Sequence, residues 1–134
     1  MTMATGTEVE ANVAPEEEPK LGPGPGLAAL LAAMIGLLTM ALVNLGTEIS
    51  KGFGTFVWDV GKAWVPGAAG IGPYSGKETF LLIGWLVSWV VLHFALRSRK
   101  DLDVRLWVGI FLVGMLAATL LLWPPIYGAI AEAF

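Results

Sequence analysis

Three stretches of this chain carry almost no charge and are each about as long as a bilayer is thick. Residues 27–47 (LAALLAAMIGLLTMALVNLGT) hold no charged side chain, and residues 79–97 and 105–123 hold none but Arg97 and Arg105 at their facing ends. A helix rises about 1.5 Å per residue, so each stretch covers roughly the 30 Å hydrocarbon core of a membrane. Within lipid a spanning segment must satisfy its own backbone hydrogen bonds, which a helix does. The rest of the composition agrees. Of 134 residues, 56% are apolar and 14% charged, against about 45–50% and 25% in ordinary soluble domains. The mean hydropathy is +0.72. A soluble fold of this size cannot hide so much apolar surface. The expected fold class is therefore an all-α integral membrane protein with three transmembrane helices.

The segments outside these spans have their own patterns. Residues 1–26 lack apolar periodicity and hold five of the eleven acids, all in the first twenty positions. They are expected to form a disordered acidic tail, with a stiff non-helical hinge at Gly22–Gly26 where Gly and Pro alternate. The tail lacks the basic start and apolar core of a signal peptide. Residues 27–134 form the three-helix domain. Between its first and second spans, Ile49, Phe53, Phe56, Val60 and Trp64 recur at helical spacing, with Lys51, Thr55, Asp59 and Lys62 opposite. This pattern predicts an amphipathic helical segment over residues 48–66, too polar to span and suited to the membrane interface. Phe53, Phe56, Trp58 and Trp64 would be its interfacial aromatics. A neighbouring protein could cover the same face equally well. Gly52, Gly54 and Gly61 predict kinks or breaks, at about 1 kcal/mol each relative to Ala. Pro66 should end the segment, and a Gly-rich loop should lead back to the membrane. Pro124-Pro125 should end the third span or kink a short extension beyond it.

Small residues at four-residue spacing mark where helices approach closely. Ala28, Ala32 and Gly36 form such a row on the first span, and Gly114 with Ala118 forms another on the third. Orientation follows from charge. Arg97, Arg99, Lys100 and Arg105 crowd the short turn between the second and third spans, which places that turn on the cytoplasmic side. The N-terminus then shares that side, and residues 48–78 and the C-terminus lie outside. Lys51, Lys62 and Lys77 dilute the asymmetry. The inner membrane of a prokaryote is the expected location.

Chemistry is sparse. The chain has no cysteine and a single histidine, which leaves no disulfide, no thiolate ligand and no structural zinc set. No metal site is expected. The histidine sits in a row of its own: Trp85, Trp89, His93 and Arg97, at steps of four, form one slowly winding ridge about 18 Å long. Such a row suits anchoring at the headgroups, with Arg97 paired to Asp101 if the helix continues. Anchoring is the leading reading; the lesser alternatives are a proton-relay or quinone contact at His93 and a cofactor face, because imidazole is a standard axial ligand for a tetrapyrrole and flat indoles pack on a macrocycle. A five-coordinate bacteriochlorophyll needs one such ligand. A haem between two helices usually takes two, and the second would have to come from Met34, Met40 or Met115.

Intramembrane ionisable groups mark transport and proton relay, and the spans contain essentially none besides His93. The Gly-rich stretches lack the Lys-Ser/Thr of a phosphate loop. No paired carboxylates or Ser-His-Asp set can be assembled, and no basic patch suits nucleic acid. The expectation is a small non-catalytic accessory subunit of a larger membrane assembly of the energy-converting kind, respiratory or photosynthetic. Its partners would be other transmembrane subunits and bound lipids. The alternatives are a bacteriochlorophyll- or haem-binding subunit with His93 as axial ligand, flanked by Trp89 and Trp85, and a small oligomeric channel or transporter.

Overall fold

The computed structural model describes residues 21–134, so most of the acidic tail lies outside the described residues. Among the described residues five α-helices follow one another: α1 (Gly24–Ile49), α2 (Lys51–Lys62), α3 (Tyr74–Leu96), α4 (Val104–Leu122) and α5 (Pro124–Glu132), with a 3₁₀ turn at Ala68–Gly70. Among them α1, α3 and α4 are long and apolar enough to cross a membrane.

The helix limits have local causes. The expected non-helical hinge at Gly22–Gly26 is corrected: α1 already begins at Gly24, with Pro23 as N-cap and Pro25 in the first turn. Proline is tolerated there because its missing N–H would have no helical partner anyway. At the far end Ser50 turns extended (φ −125°, ψ 114°), and its hydroxyl accepts from the Phe53 N–H at 3.3 Å. One residue thus ends α1 and caps α2. The expected breaks at Gly52, Gly54 and Gly61 do not occur, since α2 is continuous. Gly67 (φ 80°) and Gly72 (φ 68°) bracket the 3₁₀ turn in a conformation that glycine adopts at little cost. Asp103 starts α4 by accepting from the N–H groups of Arg105 and Leu106 at 3.1 and 3.3 Å. Trp123 is extended (φ −76°, ψ 122°), as a residue before proline prefers, and Pro124-Pro125 open α5.

In the assembled molecule α1 is central. It packs along α3 on one side and α4 on another, while α3 and α4 share no comparable seam. The α1–α3 pair is antiparallel, and its register is fixed by near-contacts. Gly24 faces the Leu96 carbonyl, Gly36 faces Leu81 and Trp85, and Gly84 faces Thr39. Buried residues concentrate on α1, where Leu27, Ala28, Leu31, Ala32, Met34, Gly36 and Ala41 are enclosed. Near the 97–105 turn, Leu92 and Leu96 of α3 join Leu102, Trp107 and Phe111 around Ala28, Leu31 and Met34. At the opposite end α2 folds back onto α3 and α1, and α5 rests on α1 and α4.

Candidate functional site

The four-residue row on α1 continues past its small residues. Gly24, Ala28, Ala32 and Gly36 are buried, and Asn44 and Glu48 extend the same row toward Ser50. Facing them is Lys77, in the first turn of α3 and only 5% exposed. Its Nζ donates to Asn44 Oδ1 at 2.8 Å, lies 4.0 Å from Glu48 Oε1, and sits 5.3 Å from the Tyr74 ring centre. A buried ammonium is costly unless hydrogen-bonded and charge-balanced, and this cluster supplies both. The contact clamps α1 to α3 at one axial position. Sequence reasoning missed it, because Lys77 stands just before the apolar stretch and resembles a flanking lysine. A signal was present: Lys77, Leu81 and Trp85 step by four along α3, as Gly36, Met40, Asn44 and Glu48 do along α1.

Beside this clamp α2 closes on α3 through backbone approach. A Cβ on Gly76 would overlap the Val57 carbonyl, and one on Gly61 would overlap Ser75. Val57 is fully buried. Ser75 Oγ is enclosed there with no hydrogen-bond partner among the described residues, close to Gly61. Trp64, though largely exposed, donates from Nε1 to Thr79 Oγ1 at 3.1 Å, and Thr79 donates on to the Ser75 carbonyl at 2.6 Å. Phe53 is half-buried against Gly46, and its ring lies 6.2 Å from that of exposed Phe56. Trp58 lies under Lys62, whose Nζ is 4.2 Å from the ring centre and 2.8 Å from Asp59. The expected apolar face of this segment is thus divided. Within it Phe53 and Val60 are half-buried while Ile49, Phe56 and Trp64 stay exposed, and the residues that face inward are Val57 and Gly61, outside the expected row.

The row of tryptophans and histidine runs from the middle of α3 to its other end. Trp85 meets Gly36 through its Cα and Cβ and is 39% exposed. Trp89 is 41% exposed, and its ring is 5.8 Å from that of half-buried His93. Phe94 meets His93 edge-on at 5.8 Å, and the Arg97 guanidinium covers Phe94 at 4.9 Å. The expected Arg97–Asp101 pair does not form. The helix ends at Leu96, so the two residues are not one helical turn apart. Among the described residues, no group of three His, Asp or Glu side chains converges as a metal set. Met34 is seated against Gly114 on the α4 side of α1, and Met115 belongs to the packing around the core.

Arg99, Lys100 and Arg105 are exposed at the 97–105 turn, and Gly22 rests against the Arg99 carbonyl and Lys100. The start of the described chain and the basic turn therefore share one end of the bundle. On α4, Ala118 is buried, and Gly114 receives the Met34 side chain. Next to that contact an open apolar groove of about 600 Å³ runs between Arg105 and Gly114, lined also by Met34, Leu106, Gly109, Ile110 and Val113. No protein-family model, curated protein or solved structure matches the chain.

Proposed function

We propose that this chain is a small, non-catalytic accessory subunit of a larger membrane assembly, held in a prokaryotic inner membrane with the 97–105 turn in the cytoplasm. The observation that carries the reading is the unequal use of the three long helices. α1 is the most buried of the three, whereas α3 and α4 turn most of their large apolar side chains outward. Exposed apolar faces of that size mark contact with lipid or with other proteins. The polar groups inside serve as clamps: Lys77 is consumed by Asn44 and Glu48, which suits a scaffold better than a path for ions. The exposed aromatic ridge on α3 points to an energy-converting host, where such a ridge would lie against a cofactor or a cofactor-bearing subunit. Extraction in mild detergent, native sizing and identification of co-migrating subunits test this. The expected result is a hetero-complex that loses integrity when the chain is deleted. A monodisperse homo-oligomer that passes ions in liposomes would instead establish a channel.

A second reading rests on one observation. His93 is framed by Trp89 and Phe94 on an outward face, and its imidazole makes no hydrogen bond among the described residues. It is thereby suited to ligate one bacteriochlorophyll or haem. Loss of one tetrapyrrole from the absorption spectrum of a His93→Ala complex supports this reading, and an unchanged spectrum removes it.

A further inference from the structure

We infer that the groove on α4 is a binding site for one anionic phospholipid of the leaflet at the 97–105 turn, with an acyl chain along the groove and the phosphate on Arg105. Three features of the groove carry this. Its walls are apolar from Leu106 to Gly114, so it favours hydrocarbon. It spans nine helical steps, about 13 Å at the rise of an α-helix, close to half the roughly 30 Å hydrocarbon thickness. That is the depth of one leaflet.

The third feature is charge at the mouth. Arg105 is exposed and takes part in no ion pair among the described residues. A guanidinium can grip a phosphate through two parallel N–H donors. The surrounding turn holds Arg97, Arg99 and Lys100 against Asp101 and Asp103, and Asp103 is committed to capping α4. Within the turn itself, four basic residues stand against two acids, and this local excess favours a headgroup with net negative charge over a zwitterionic one. Gly109 provides the room: a Cβ there would meet no other atom, so the surface above it is open. The site belongs to this chain alone and does not depend on its acting as a subunit.

The test uses the full chain purified in detergent, with phosphatidylglycerol or phosphatidylcholine added in equal amounts and retained lipid counted by native mass spectrometry. Retention of one phosphatidylglycerol at least tenfold over phosphatidylcholine is expected. Arg105→Gln should bring the two lipids level, and Gly109→Leu should abolish retention of both. Neither residue is packed in the interior, and circular dichroism checks that each variant remains helical. Equal retention of the two lipids by the wild type overturns the proposal. So does retention of phosphatidylglycerol by Gly109→Leu, since the groove would then play no part. A photoreactive side chain at 109 that crosslinks in native membranes to a polypeptide, and not to lipid, overturns it as well.

Discussion

Lys77 shows what single residues decide in this molecule. Its ammonium is enclosed, and its nearest partner is Asn44, thirty-three positions earlier in the chain. Lys77→Met should cost about 1 kcal/mol, the net worth of one hydrogen bond, because Glu48 is half in solvent and is not stranded. Asn44→Leu should cost more, about 2–3 kcal/mol, since it leaves a buried cation without its acceptor. Denaturant titration of the helical signal in mixed micelles gives the comparison, and the reverse ranking would mean that Lys77 does not clamp α1 to α3. The pairing was not legible in the sequence. Hydropathy stops at Lys77-Glu78, and only the antiparallel register of α1 and α3 brings the lysine to Asn44.

At the scale of elements, glycine sets how closely helices approach. Gly36 faces a carbonyl and the Trp85 stem, so Gly36→Leu should destabilise the bundle by about 1–3 kcal/mol, the usual cost of overpacking. Gly109→Leu, in open space, should leave stability unchanged or slightly raised. Thermal melts of the two variants side by side make the contrast. For α2, Gly76→Val should push the Val57 turn away and speed amide exchange over residues 51–62 before it affects α4. The three long helices were legible because lipid-length apolar runs have few other solutions. Their limits were less so. Gly24 and Tyr74 lie inside helices whose first turns are too polar or too proline-rich for hydropathy to include. The continuity of α2 was hidden because Gly61 is placed for contact with Ser75, and a helix can absorb the propensity cost when packing returns it.

For the whole molecule, the fold sets which segments share an end. Gly22 touches the 97–105 turn, whereas α2 and α5 lie toward the far end of α1. With the chain in a bilayer, reporters placed after residues 20 and 101 should respond from one side, and those after 70 and 134 from the other. Accessibility labelling in intact cells and inverted vesicles reads this directly. Any other pattern would break the three-span arrangement. The charge bias of the turn was visible in the sequence, but the outward aspect of Trp85 and Trp89 was not. A ridge at steps of four has the same spacing whether it is buried or exposed.

Because α3 and α4 each rest on α1 and scarcely on one another, the molecule resembles a book whose spine is α1. Leu92, Leu96, Trp107 and Phe111 hold the covers together near the 97–105 turn. At the other end the fastening is different: Lys77 and α2 hold α3 to α1, and α5 bridges α1 and α4. Each cover is thus latched separately at that edge, α3 by Lys77 and α2, and α4 by α5, so releasing one latch should free one cover and leave the other in place.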